Sequence, residues 1–313
     1  MTLDAMALLS DARRPLCLGI GGGGDVVGAL ATAEACRLYD GAEPVVGGVT
    51  WERRVIDPDP GPRSEAEIEG ARRLAPAVMA ARPETRVSAS GVRFAEARMA
   101  ELLGEETVLV DVTRGPSEIA AGLAEAVAGL GCDLVVFVDV GGDALAHGDE
   151  PGLASPLCDA LMLAAAKSMA ANGGPPVLGA VFGVGCDGEL TPAEVLDRIS
   201  EIAAAGGLAG SRGLTAAVVQ RLDEAVAAVP TEASAQALRC FRGERGNATI
   251  RGGRRTVDLS PVGAATIYFD VPAAVGSAAR LASALDGAAD LEDANRALNA
   301  LGVSTELDLE RGT

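Results

Sequence analysis

The sequence predicts an α/β protein: a doubly wound, mostly parallel sheet flanked by helices, Rossmann-like, with a C-terminal helical and hairpin extension. Three observations lead there. Short runs rich in Val, Leu and Ile alternate with longer Ala-rich runs of helical period. Two of the short runs, 107–111 (TVLVD) and 133–139 (DLVVFVD), are almost continuously apolar, as in strands buried on both faces. Three times, an apolar run ends in glycines followed by an aspartate.

In chain order, strands are expected at 16–20, 44–49, 107–111, 133–139, 177–183 and 264–270. Helices are expected at 25–39, 65–80, 92–103, 116–130, 156–171, 192–205, 214–228, 232–241, 273–285 and 290–301. Several helix starts carry their own signals. Thr191-Pro192-Ala193-Glu194 combines an N-cap, a proline at the first helical position and a capping-box glutamate. Gly115-Pro116 and Ser155-Pro156 repeat the cap-then-proline pattern, so Ser155 reads most simply as an N-cap. Residues 55–64, with three prolines, read as an extended loop. Residues 206–213 (GGLAGSRG) read as a flexible join. On that basis residues 1–205 form the α/β core, and 206–313 are a C-terminal part completing the same domain. A hairpin is expected at 248–259, turning on Gly252-Gly253.

Composition narrows the chemistry. Among 313 residues, 44 are acidic and 26 basic, a formal charge of −18. That balance excludes nucleic acid and a polybasic membrane anchor as partners. The chain has one Lys (Lys167) and one His (His147), so zinc sites with two or more His ligands are excluded. Lys167 lies in an Ala-rich helical run, without the glycine loop of a Walker P-loop. The six cysteines form no C-x-x-C pair and read as buried thiols of a reducing compartment. With no signal-peptide pattern at the start and no apolar run near 18 residues, a cytoplasmic protein is expected.

The three glycine–aspartate turns are Gly19-Ile-Gly-Gly-Gly-Gly-Asp25, Asp139-Val-Gly-Gly-Asp143 and Gly183-Val-Gly-Cys-Asp187-Gly-Glu189. In a parallel sheet they would lie at the carboxyl ends of strands, where open α/β folds bind ligands. Gly19, Gly21 and Gly24 also fit G-x-G-x-x-G between a strand and a helix. Asp25 stands where a phosphate would meet the helix N-terminus, however, so NAD(P) is disfavoured. Each acid could be an independent cap or turn residue. Taken together they could instead form an acidic site, with Asp25, Asp139 and Asp143 catalytic and Asp25, Asp143 and Asp187 holding Mg²⁺ or Mn²⁺.

Substrate-binding candidates are Gly21, Gly22, Gly23, Gly24, Gly141 and Gly142, whose backbones could approach a ligand, with Ser155 and Asp159 beside them. Trp51, Glu52 and Arg53 could stack on and orient a ligand, or Trp51 could simply cover the sheet edge. Arg114, after the strand at 107–111, suits a phosphate or carboxylate. His147 reads as a solvated loop side chain, with a general-base role as the alternative. Arg239, Arg242, Arg245, Arg251, Arg254 and Arg255 form the one basic segment. It reads as a solvated hairpin, a cover for an anion, or a contact in a homo-oligomer.

Several of these segments together resemble the domain of unknown function 1152 family: 19–25 (GIGGGGD), 47–53 (GGVTWER), 57–62 (DPDPGP), 139–143 (DVGGD), 152–159 (GLASPLCD) and the late GGRR at 252–255. The resemblance spans nearly the whole chain. It implies a cytoplasmic α/β protein and brings no reaction with it.

Function is therefore expected from the residues. The leading reading is an enzyme that binds a small phosphorylated or nucleotide-like anion and catalyses hydrolysis or group transfer with Asp carboxylates and a divalent ion. The alternatives are a metal-free lyase or isomerase on a small carboxylic or amino acid, and a non-catalytic metabolite-binding subunit.

Overall fold

A computed structural model describes residues 3–54 and 56–312. Val55, the first residue of the expected 55–64 loop, and Met1 and Thr2 of the start that lacks a signal pattern lie outside the described residues. Helix α1 (Ala5–Asp11) precedes the central strand β1 (Pro15–Gly19). Then come α2 (Asp25–Ala35), β2 (Val45–Val49), β3 (Arg72–Ala75), β4 (Val78–Ala81), α3 (Ala95–Leu103), β5 (Thr107–Val110) and α4 (Pro116–Leu130). The central part closes with β6 (Leu134–Val140), α5 (Pro156–Ala171), β7 (Val177–Phe182) and α6 (Pro192–Ala204). Beyond it lie β8 (Leu208–Gly213), α7 (Ala216–Ala228), α8 (Ala233–Phe241), β9 (Ala265–Asp270), α9 (Val271–Ser277), α10 (Arg280–Ala284), α11 (Leu291–Ala300) and α12 (Glu306–Arg311).

The main sheet has nine strands in the order β8-β9-β7-β6-β1-β2-β5-β4-β3. The five from β7 to β5 are parallel. The pairs on either side of them are antiparallel. Every residue of the five parallel strands is buried, as their unbroken apolar runs require. One face packs against α4, α5, α6, α9, α10 and α11, the other against α1, α2, α7 and α8. The protein is thus α/β with a large, mixed, mostly parallel sheet between two helical layers. Among the described residues no helix is long and apolar enough to cross a membrane.

The structure corrects several expectations. The helix expected at 65–80 is a short 3₁₀ turn at Glu65–Glu67 followed by the β3–β4 hairpin. Pro76 has no N–H to continue a helix, Ala77 turns at φ +62°, and β4 pairs with β5 along an otherwise open edge. Residues 206–213 are no flexible join, because Leu208–Gly213 pairs with β9 as the edge strand. The helix at 273–285 breaks into α9 and α10 around Ala278 and Ala279. The first long helix is α-helical only to Ala35 and ends in a π-turn at Cys36–Asp40. Helix α12 was not expected at all. The late hairpin does form, from Gly246–Ile250 and Arg255–Leu259 around a 3₁₀ turn at Arg251–Gly253.

Gly122 shows how closely α4 sits on the hairpin: a Cβ there would overlap the Pro76 carbonyl oxygen. We expect Gly122→Ala to lower unfolding stability by about 2 kcal/mol despite its better helix propensity. An unchanged midpoint in denaturant unfolding would contradict this close packing.

Candidate functional site

The parallel strands lead in opposite directions from the middle of the sheet. The chain leaves β1 through α2 towards β2, and leaves β6 through α5 towards β7. The carboxyl ends of β1 and β6 therefore open a crevice that no crossover covers, and the glycine–aspartate turns meet there.

Each turn is shaped by backbone that favours glycine. After β1, Gly22 and Gly23 adopt φ +79° and +56°. This brings Asp25 to the first helical position of α2, where its Oδ2 accepts a hydrogen bond from the Gly21 N–H at 3.0 Å. A Cβ on Gly21 would lie 2.6 Å from Asp25 Oδ2 and 2.9 Å from Asp159 Oδ1, so only glycine lets the two carboxylates close over that turn. After β6, Gly141 and Gly142 take φ +126° and +123°. Asp139 accepts from the Gly142 N–H at 3.4 Å and the Ala144 N–H at 3.1 Å. A Cβ on Gly141 would overlap the Asp187 carboxylate, which the turn after β7 brings in from the other side.

One cleft is lined by Asp25, Asp143, Asp159, Asp187 and Glu189. Oxygens of Asp25, Asp139 and Asp159 lie within 4.8 Å of one another, as do those of Asp143, Asp187 and Glu189, with Asp139 buried behind the lining residues. The expected metal trio Asp25, Asp143 and Asp187 thus shares the cleft but falls into two tighter groups. Asp159 Oδ1 and both oxygens of Asp187 have no hydrogen-bond partner, although the residues are only 2% and 5% exposed.

Burial and mutual repulsion govern the protonation of this cluster. Burial, then the neighbouring Asp139, pushes Asp25 up to about 7. Burial likewise raises Asp139 to about 7, against hydrogen bonds from the Ala144 and Gly142 N–H groups and from Asp143. Burial, then Asp159, Glu189, Asp139 and Asp187, holds Asp143 well above the usual carboxylate range. Asp159 and Asp187 are raised for the same reasons. Glu189 differs. Burial acts against its charge, but Arg255 and hydrogen bonds from Ser155 and Ala154 outweigh it and hold the carboxyl below its usual value.

Arginines face the acids. Arg255 pairs with Glu189 Oε1 at 2.7 Å. Arg53 donates to the Gly21 carbonyl and lies 3.9 Å from Glu306. Arg251 has a buried Nε that makes no hydrogen bond and lies 3.7 Å from Glu232 Oε2. Of the basic segment, Arg251, Arg254 and Arg255 gather at or beside the cleft. Arg239 and Arg242 instead pair on the surface with Glu244 and Asp223.

Other candidates take different places. Gly22, Gly23 and Gly24 line an adjoining pocket together with Glu52, Ile56, Pro230 and Thr231. Glu52 is buried, accepts from the Ala95 N–H and is pushed up to about 7 by burial. Trp51 is fully buried, donates to Glu310 at 3.0 Å and has Arg53 over its ring, so it supports that arginine from beneath. Ser155 holds the N-cap position of α5, but its hydroxyl donates to Glu189 instead of capping. Glu306 of α12 does the capping, accepting from the Leu157 and Cys158 N–H groups at 3.0 and 2.9 Å.

Arg114 does not line the cleft. It pairs with Asp111 and Glu118, because β5 lies beyond β2 and β1 from β6, roughly 14 Å away at ~4.8 Å per strand. His147 is not solvated: its side chain is 8% exposed, with Nε2 3.1 Å from Glu201. Glu306 was missed, since it comes from a distant segment with no local motif, and Thr231, in a Thr231-Glu-Ala-Ser234 pattern that reads as a weak helix start, was missed as a site residue. Thr231 packs on Gly24, and Glu306 fixes the start of the helix that carries Asp159.

The fold and site define an α/β protein with a buried, arginine-rimmed acidic cleft at the carboxyl ends of its parallel strands. The chain belongs to the family described as Protein of unknown function (DUF1152), whose model matches residues 16–313. No curated protein and no solved structure matches it.

Proposed function

We propose that the protein is an enzyme that binds a phosphorylated small molecule in this cleft and hydrolyses it or transfers its phosphoryl group, with a divalent cation on the carboxylates. The observation that carries the reading is Asp187. Two unpartnered carboxylate oxygens, buried among other acids and opposite arginines, call for a hard cation, and Mg²⁺ and Mn²⁺ suit all-oxygen ligands. Asp187 and Asp143, whose oxygens lie within 4.8 Å of each other, would supply the ligands. Glu189 has both oxygens engaged and serves as the anchor for Arg255. Arg53, Arg251 and Arg255 would hold the phosphoryl oxygens.

Asp25 suits the role of base, being raised towards neutrality beside the glycine turn. In hydrolysis, a water oxygen bonds to phosphorus while the ester P–O bond breaks. One proton of that water passes to Asp25 and one proton is returned to the departing oxygen, so an alcohol and orthophosphate leave.

Supporting features extend beyond the cluster. The parallel strands run β5-β2-β1-β6-β7, the 3-2-1-4-5 order of doubly wound nucleotide-binding sheets, which supports a Rossmann-like core. Strands β8 and β9 continue that sheet, which supports reading 206–313 as completing the same domain. Asp25 occupies the Gly21 N–H that a dinucleotide pyrophosphate would use, which speaks against NAD(P). Six buried, unbridged cysteines fit a cytoplasmic location.

The test is thermal unfolding with Mg²⁺ or Mn²⁺, followed by phosphate release from a panel of phosphate esters. Stabilisation by either cation and chelator-sensitive release are expected. Turnover of a carboxylic or amino acid that survives chelation would replace this reading with a metal-free lyase, and ligand binding without turnover would replace it with a regulatory subunit.

A further inference from the structure

Beyond the three arginines at the cleft lies a second depression. Arg53, Arg251, Arg255 and Ser155 line both, so the two are continuous. The outer one adds Arg54 and Arg254 and has a volume of about 280 Å³. At ~30 Å³ per water, that is the room of roughly nine water molecules, more than one phosphoryl group fills. Five arginines thus border one basin in a chain whose formal charge is −18.

The two acids in its wall are already engaged. Glu306 caps α5, and Glu310 accepts from the Trp51 indole. Arg251 Nε makes no hydrogen bond and lies 3.7 Å from Glu232 Oε2, and Arg254 makes no ion pair among the described residues, its Nε donating to the Arg251 carbonyl at 3.0 Å. Burial, then the nearby Arg53 and Arg255, disfavours the charge on Arg251. Guanidinium groups gathered in this way are relieved by an anion carrying several charges, and their forked donors match phosphate oxygens.

We infer that the substrate carries at least two linked phosphates, one against the carboxylate floor and the next in the arginine basin with Arg254. This inference rests on the cation-dependent phosphoryl reading given above and specifies its substrate class. A diphosphate chelated to a divalent ion meets both halves of the site: the cation faces the acids, and the remaining phosphate charge faces the arginines. The adjoining pocket at Gly23, Glu52, Ile56 and Pro230 shares Arg53 and Arg251 with both depressions and would take an organic group if the diphosphate bears one.

Calorimetric titration of the full chain in Mn²⁺ tests this with orthophosphate, inorganic pyrophosphate and a nucleoside diphosphate. Pyrophosphate is expected to bind at least about tenfold more tightly than orthophosphate. Arg254→Ala, on an exposed side chain, is expected to weaken pyrophosphate about tenfold while leaving orthophosphate and Mn²⁺ alone unchanged. Tighter binding of the nucleoside diphosphate than of pyrophosphate would place its organic group in the adjoining pocket, and equal binding would identify the inorganic chain as sufficient. Equal affinities for orthophosphate and pyrophosphate would overturn the inference, as would an Arg254→Ala variant that weakens both alike. If Mn²⁺ alone leaves the protein unaltered, the cation reading fails separately. The same comparison repeated in chelator then still reports on the basin.

Discussion

Asp187→Asn is expected to make the metal-free protein more stable while abolishing its response to divalent cations. Asp187 is 5% exposed, neither oxygen has a partner, and Glu189, Asp139 and Asp143 crowd it. The amide removes a charge that the fold holds unfavourably and keeps nearly the same shape. A gain of about 1–3 kcal/mol in unfolding free energy follows from relief of one buried repulsion. Loss of a direct cation ligand should at the same time lower turnover by about a thousandfold or more. Denaturant unfolding with chelator and with Mn²⁺ separates the two effects.

Glu189→Gln is the contrasting variant. Its carboxylate is bound by Arg255, the Ser155 hydroxyl and two backbone N–H groups, so neutralising it leaves Arg255 without its partner. It should destabilise the protein by about 3–5 kcal/mol. An Asp187→Asn protein that is weakened and still answers to Mn²⁺ would remove Asp187 from the cation site.

The second large effect is on pH dependence. Asp139 and Asp25 are raised to about 7 from ordinary values near 4, so the folded protein binds protons there that the unfolded chain has released. Their stabilising contribution is complete below about pH 4 and is lost as pH rises through 7. For Asp139 alone, 1% exposed, the change is on the order of 4 kcal/mol. In chelator, unfolding free energy should therefore fall between about pH 4 and 7. A saturating divalent cation takes the place of the protons and should flatten that slope. Asp139→Asn should reduce that slope. A chelated protein whose stability is level from about pH 4 to 7 would mean that the cluster is not protonated as described.

The central sheet was legible because its signal is local. Strands β1, β2, β5, β6, β7 and β9 each stand where an apolar run is bounded by glycine or a charged residue. The β3–β4 hairpin was hidden by composition, since 72–81 (RRLAPAVMAA) has the residues of a helix and becomes sheet only because β5 offers an edge. Leu208–Gly213 was hidden by its two glycines and exists because β9 lies alongside. The glycine–aspartate turns announced the acidic floor, because a turn at the end of a parallel strand has few other places to go. Arg114 failed by the same rule, since strand order, which local pattern does not contain, sends its turn away from the cleft. Glu306 carried no signal, and the weak helix-start pattern at Thr231 gave no hint that it packs on Gly24, for both roles exist only after distant segments pack.

The arginine rim also has a consequence for how a ligand arrives. It is a small positive island on a molecule of formal charge −18. At distances beyond the rim, an unchelated polyanion meets the field of the whole chain and is slowed by it. Added salt, with a Debye length of about 8 Å at physiological strength, hides the distant negative charge more than the close contacts in the cleft. Capture of such an anion should therefore speed up with moderate ionic strength, the reverse of an enzyme whose overall charge draws its substrate in.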